Sequence, residues 1–445
     1  MTDDRYVQGI PFSQLAERFG TPLFVYDGAV LADRYGRLRD GLDPPVDLFY
    51  SLKANPNVAV CAALRGLGAG AEVSSLAELE TAFRAGVPAA DIIFPGPGKS
   101  PAELAACLDA GIHAIVCESV GELALVNQLA RARGTRARVA IRVNPEFSLR
   151  STTLAMGGKP RQFGIDETQL RREGLDLAGR FPHVEVIGVH VYMGTRILDA
   201  NVVVENTVRI LDLARDLSAR LGFPLRLVDV GGGLGVPYFE GERELDTDAM
   251  LPRLNEAFGG FRTEHPGTRL VMELGRYLTA PAGTYLIGVR YTKTSQGERF
   301  AVADGGTHHH LAAVGIGSFV KRDFPMFLAN RDGMGEPSPW TIAGPLCTPN
   351  DTLGRHVALP ALRPGDLLGV RYSGAYGPTA SPGLFLGHGY PAEVLVHSGV
   401  PYLVRERDEP ADLLARQHLP DPLAPVPTGA GPTRSPSTVP EMEAR

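Results

Sequence analysis

Val46–Pro56 reads VDLFYSLKANP, an apolar run of strand length that closes on Lys53 and is followed at once by Ala54, Asn55 and Pro56. A lysine at the end of a buried strand is costly to desolvate unless it is paired or used covalently, so this junction needs a reason. Seven more runs of the same kind follow before about residue 275: AGAEVSS, DIIFPG, HAIVCES, RVAIRVNP, VEVIGVHVYM, LRLVDVGGG and TRLVMELG. Between them lie segments such as SLAELETAFRAG, SPAELAACLDAG and SVGELALVNQLARARG, with apolar residues at helical spacing, Ser or Pro near their starts and glycine at several ends. Eight strand–helix units of this size predict an α/β fold, a closed (β/α)8 barrel, although a doubly wound parallel sheet is written in the same grammar.

From about residue 290 the text becomes strand-rich, with GVRYTKTS, ERFAVADGG, WTIAGPLC, DLLGVRYSG, AEVLVHSG and VPYLVRER separated by turn residues. That predicts a C-terminal antiparallel β domain, a barrel or a sandwich. The opening TPLFVYDGAVLADRYGRL reads as a strand and then a helix, and the strand is placed to join that later domain. The expected organisation is therefore an N-terminal strand segment over 1–30, the barrel over 31–288, the β domain over 289–417 and a disordered tail over 418–445, where Pro, Gly, Ser and Thr accumulate without apolar periodicity.

Bulk composition excludes several function classes. Hydrophobic residues at 44% and charged residues at 21% describe an ordinary globular chain, and a net charge of −6 leaves no basic face for nucleic acid. No apolar stretch reaches the length of a membrane span and the N-terminus lacks a signal-peptide layout, so neither a membrane nor export is expected and the cytoplasm is the expected location. The four cysteines show no CxxC spacing, which argues against a zinc ribbon or a disulfide framework.

In a (β/α)8 barrel the reactive groups sit at the carboxyl ends of the strands, so the residues that close each run can be gathered. They are Lys53, Glu72, Arg142, Tyr192, the glycines Gly231, Gly232 and Gly233, and Glu273 with Arg276. The three glycines follow the seventh run, where barrel loops commonly bind phosphate through closely approaching backbone N–H groups; a flexible turn is the plainer alternative. Lys53 alone could snorkel at the rim, but a lysine beside a phosphate cradle suggests a Schiff base to pyridoxal phosphate, whose aldehyde needs a desolvated amine and whose phosphate needs an anchor.

At this point the chain resembles the fold-type III pyridoxal-phosphate decarboxylases, the family of the diaminopimelate, ornithine and arginine decarboxylases, up to about residue 410. The carrying motifs are YSLKANP, GAEVSSLAELETAFRAG, IIFPGPGKS, IRVNP, HVYMGT, DVGGGLGVPY, ELGR, GPLCTPND and SGAYG. The resemblance implies an alanine-racemase-like barrel with a β domain, and a head-to-tail homodimer with active sites at the interface. It implies that Lys53 is the Schiff-base lysine and that Gly231 to Gly233, Gly275 and Arg276 hold the phosphate. Glu273 would be the carboxylate beside the pyridine nitrogen, keeping it protonated for decarboxylation where racemases place an arginine. Cys347 would reach across the interface to help protonate the α carbon, and Tyr376 would lie close to the cofactor.

The departures concern the substrate. Tyr192 stands where better-known members have a histidine stacked on the ring, and Thr195 and Arg196 replace a Ser-Gln pair. Diaminopimelate decarboxylases follow the cysteine with Glu-Ser and hold the distal carboxylate with an R-P-x-L-Y run. This chain instead has Thr348 and Pro349 with Asp351, and reads DGGTHHHLAAVG over Asp304–Gly315. These features look more like the subgroup acting on modified or carrier-bound amino acids, which includes the decarboxylase of glutamyl on an acyl-carrier protein and the exosortase-associated and siderophore-pathway enzymes. The expected substrate pocket includes His308, His310, Thr348 and Asp351. No metal is expected at His308–His310, because consecutive strand residues alternate faces. Ordinary diaminopimelate decarboxylation and a non-catalytic pyridoxal phosphate carrier are the competing readings.

Overall fold

The computed structural model describes residues 5–43, 46–148, 154–155, 158, 160–172, 176–314, 323–333, 335–420 and 423, so most of the expected tail lies outside the described residues. The eight apolar runs are the eight strands of a closed parallel barrel: Val46–Ser51, Gly70–Glu72, Ile92–Phe94, Ala114–Cys117, Ala137–Asn144, Val184–His190, Leu227–Gly232 and Arg269–Leu274. Each pairs in parallel with the next, and the eighth returns to the first with Glu273 opposite Phe49, so no strand edge is left open.

Phe49, Ile93, Ala114, Val116, Ala140, Ile187, Leu227 and Val271, drawn from seven of these strands, form one buried cluster that fills the barrel. The second strand contributes Gly70 instead, where an added Cβ would meet the Phe49 ring at 2.5 Å. The helices start as the sequence predicts. Ser75, Ser100 and Ser119 each accept a hydrogen bond from the backbone N–H three residues on, and Ser100 forms a full capping box with Glu103 after Pro101 opens the helix.

The second sheet is organised by the 13-residue strand Gly283–Ser295, which pairs antiparallel with Leu23–Asp27, Glu298–Ala303 and Leu367–Val370. The domain boundary expected at 288/289 thus falls inside one continuous strand. Ala392–His397 pairs parallel with Leu23–Asp27, and Ser338–Ala343 pairs parallel with Glu298–Ala303. The sheet is therefore mixed, where an antiparallel one was expected. Only a short hairpin forces antiparallel pairing, and both parallel pairs join segments far apart in the chain. Thr352–Leu359, a further strand of this sheet, escaped the sequence reading because Gly354, Arg355 and His356 interrupt its apolar pattern.

This sheet is docked on the barrel mouth by polar contacts. The Tyr376 N–H donates to the Ala54 carbonyl at 2.7 Å, Asn55 Nδ2 donates to the Gly374 carbonyl at 3.1 Å, and Glu393, which also accepts from Tyr26 of its own sheet, accepts from Asn57 at 3.1 Å. Two of these contacts fall on the turn that carries Lys53. Among the described residues no helix is long and apolar enough to cross a membrane.

Candidate active site

A cavity of about 570 Å³ opens at the carboxyl ends of the barrel strands, and Lys53, Glu72, Arg142, Tyr192, Glu273, Arg276 and Tyr376 line it. Lys53 sits in a single 3-10 turn, Leu52–Ala54, that follows the first strand directly. The turn is rigid for local reasons: the Tyr50 hydroxyl donates to the Asn55 carbonyl at 2.7 Å, and the buried Asn55 and Ala54 carry the sheet contacts above. The Lys53 amine donates to Glu72 Oε2 at 2.7 Å. The lysine side chain is 39% exposed to the cavity while that of Glu72 is 1% exposed, so a ligand reaches the amine and not its partner. Burial disfavours the charged amine, but Glu72 and then Glu273 outweigh it and raise its pKa.

Glu273, at the end of the eighth strand, is one of the most buried carboxylates in the chain. Burial alone would raise its pKa, yet the hydrogen bond and charge of His190, with Lys53 and Arg142 beyond, pull it down to about 2. His190 Nε2 lies 3.1 Å from Glu273 Oε1. Asp229, fully buried on the seventh strand, completes a group of three within 4.8 Å. Burial and the negative charge of Glu273 push the Asp229 carboxyl far upward. The three side chains have metal-ligating chemistry, but the His190–Glu273 contact is already a hydrogen bond within the chain.

Arg276 lines the cavity and suits an anion; the glycine turn after the seventh strand does not line it but packs behind it, with Gly231 against Tyr192, which does. Gly231 and Gly233 lie at φ of 66° and 78°, and a Cβ at Gly231 would meet the Val191 carbonyl oxygen at 2.6 Å, so only glycine permits this turn. A Cβ on Gly232 would collide with the Glu273 carbonyl oxygen. Gly275 fits between Ser51 and Ala54 on the Lys53 side, bringing the next residue, Arg276, to the cavity. Arg276 Nη1 donates to the Tyr238 hydroxyl at 2.8 Å and its guanidinium stacks 4.5 Å from the Tyr376 ring, while its Nε is buried without a partner. Tyr376 holds a left-handed φ of 55°, a strained conformation for a non-glycine residue at the point where the sheet meets the barrel. The Tyr192 ring centroid lies 5.6 Å from the Lys53 amine, and burial raises its phenol to about 12.

Three residues of this site were missed by sequence reasoning. His190 stands two residues before Tyr192 in the HVYMGT run, a spacing that puts both on one side of an extended chain. Glu118 closes the fourth strand, and the strand-end rule that selected Glu72 would have selected it too. Its carboxylate accepts from Arg142 at 2.8 Å, from the Gly96 N–H at 2.7 Å and from the Gly164 N–H at 3.2 Å, tying three parts of the mouth together. Lys99, from IIFPGPGKS, donates to the Gly96 and Val116 carbonyls and pairs with Glu122 at 2.7 Å, pinning the Pro95–Gly98 loop.

The residues expected to hold substrate are not on this cavity. His308–His310 lie in a turn and not in a strand, and all three are buried in the β domain. His310 bonds Ser373 Oγ at 2.9 Å, and both ring nitrogens of His308 lack partners. Asp351 is spent on its own surroundings, accepting from the Thr307 N–H at 2.7 Å, the Thr307 hydroxyl at 3.0 Å and the Leu346 N–H at 2.8 Å. Thr348 is half-buried in the turn that ends at Asp351, and Cys347 is exposed on the β domain.

Comparison with known proteins places this geometry. Residues 29–280 match the family model "Pyridoxal-dependent decarboxylase, pyridoxal binding domain". The chain is 42% identical over 407 residues to the L-glutamyl-[BtrI acyl-carrier protein] decarboxylase of Niallia circulans, covering 91% of this chain and 95% of that protein. It is 30% identical to the diaminopimelate decarboxylase of Aquifex aeolicus, covering 91% and 93%. The crystal structure of the Methanocaldococcus jannaschii diaminopimelate decarboxylase with L-lysine superposes with a TM-score of 0.85 at 29% identity, over 95% of this chain and 98% of that one.

Proposed function

The chain belongs to the pyridoxal-dependent decarboxylases, and we propose that within this family it removes the α-carboxylate of an amino acid tethered to a carrier protein, releasing CO2 and leaving an amine. Pyridoxal phosphate, when bound, supplies an aldehyde for amine capture and a protonated ring that draws off the electrons left as CO2 departs. The residues fit it at both ends: the orphaned Arg276 Nε and the glycine turn suit a phosphate, and buried anionic Glu273 suits a protonated ring nitrogen. The observation that carries the reading is the convergence of Lys53 and Glu273 in one cavity.

Lys53 would hold the cofactor through its amine, which Glu72 orients at 2.7 Å. Glu273 would hold the proton on the ring nitrogen, and Tyr192 would offer an aromatic face. Cys347, remote from this cavity in its own chain, serves the site of a second subunit in a homodimer, delivering a proton to the α carbon.

The tethered substrate is supported by the charge inventory of the wall. Among the described residues, Lys53, Lys99 and Arg142 are each paired with a carboxylate of this chain, and Arg276 belongs to the phosphate end. A distal carboxylate, such as diaminopimelate carries, finds no spare cation there, whereas an uncharged thioester needs none. The relative from Niallia circulans, named for a glutamyl carrier protein, agrees with this. The test is CO2 release and product mass from the cofactor-loaded protein given L-glutamyl carrier protein, meso-diaminopimelate or free L-amino acids. Turnover of the tethered substrate alone is expected, and efficient turnover of meso-diaminopimelate overturns the substrate assignment.

A further inference from the structure

Asp229 carries a polar atom that the mechanism above leaves unexplained. Its Oδ1 accepts the Gly231 N–H at 2.8 Å, in the turn of the phosphate end. Its Oδ2 is buried and has no hydrogen-bond donor to accept from, while the Asp229 side chain comes within 4.8 Å of both Glu273 and His190 and engages the Glu273 carboxylate side chain to side chain. A buried anionic oxygen with no donor, beside a second anion, is among the costliest arrangements a core can hold. The cost disappears if the proton sits on Oδ2, because the atom then donates where it had nothing to accept.

We propose that Asp229 is a neutral carboxylic acid and a positioning residue: it donates the Oδ2 proton to Glu273 while its Oδ1 holds Gly231. One side chain thereby joins the group that faces the ring nitrogen to the loop that faces the phosphate. Glu273 receives donors from His190 and Asp229 and keeps its negative charge without leaning on the ring proton. The strong upward push on the Asp229 carboxyl and the downward pull on Glu273 agree in direction.

This inference rests on the reading of Glu273 as the partner of the ring nitrogen, but its first test does not. Infrared spectra are recorded at pH 7 on the cofactor-loaded and cofactor-free protein, with the aspartate carboxyl groups carbon-13 labelled. An isotope-shifted carbonyl stretch of a protonated carboxylic acid is expected in both forms, and it is lost in Asp229→Asn. Its absence from the wild-type protein overturns the proposal whatever the enzyme turns over. If Asp229→Asn does not fold, Glu273→Gln assigns the band by shifting it, and an unshifted band overturns the contact. In kinetics, Asp229→Asn keeps an acceptor for Gly231 and a donor for Glu273, so it retains at least roughly tenfold more kcat than Asp229→Ala. Equal losses in the two variants overturn the donor role.

Discussion

The amine of Lys53 lies 2.7 Å from Oε2 of Glu72, because the turn that carries Lys53 leaves the first strand level with the end of the second, where Ser51 stands opposite Glu72. The pair holds the lysine protonated in the free protein, whereas attack on an aldehyde needs the neutral amine.

Glu72→Gln removes the larger of the two anionic influences on Lys53. The lysine pKa then falls, the neutral fraction at a given pH rises, and cofactor-free protein captures pyridoxal phosphate faster. Absorbance-monitored capture across pH checks this: the midpoint moves to lower pH in the variant, and an unmoved midpoint counts against the pairing.

Glu273→Ala removes the anion facing the ring nitrogen while Lys53 with its partner Glu72, and Arg276, remain. A fall in kcat of roughly 10²- to 10³-fold is expected, with the cofactor absorbance retained. Parallel measurement of CO2 release and the bound-cofactor spectrum separates loss of chemistry from loss of cofactor.

Arg276→Ala deletes a guanidinium whose Nε is buried without a partner in the chain. Losing a charged hydrogen bond to phosphate costs about 1.5–3 kcal/mol, so cofactor Kd rises roughly 10- to 150-fold. Equilibrium dialysis reads this directly, and excess cofactor restores most of the activity.

His308→Leu tests the buried histidines of the β domain. Burial, with His388 adding to it and Asp351 opposing, lowers the His308 pKa to about 4, and His309 stands against the same ring. The unfolded chain, with an ordinary value near 6.5 for this group, binds the proton first as pH falls, so stability is lost between about pH 6.5 and 4. The variant keeps a larger share of its pH 7 stability at pH 5 than the wild type does, as read from urea midpoints. Equal losses in the two proteins show that His308 does not contribute.

The barrel strands were legible because each is an apolar run bounded by helix caps, and its parallel partners need no further instruction than burial on both faces. Lys53, Glu72 and Glu273 were legible by the same route, since a charged residue closing such a run stands at the mouth. His190 and Glu118 obey the same rule and were passed over beside more familiar neighbours. Asp351 and His308–His310 sat in motifs that resembled a substrate pocket, and only the fold reveals that Asp351 closes a loop through Thr307 and Leu346 while the histidines pack inside the sheet.

The sequence by itself determined the eight-stranded barrel and the gathering of a lysine, carboxylates, an arginine and a glycine turn at one mouth, because strand order and period are local properties of the chain. Tertiary structure decided what charge each group carries. Glu273 is held anionic by a histidine 83 positions away, and the turn that carries Lys53 is docked through Ala54 and Asn55 by Tyr376 and Gly374 from the opposite end of the chain. Burial and long-range pairing set ionisation, and neither is written in the residues adjacent to the group they control.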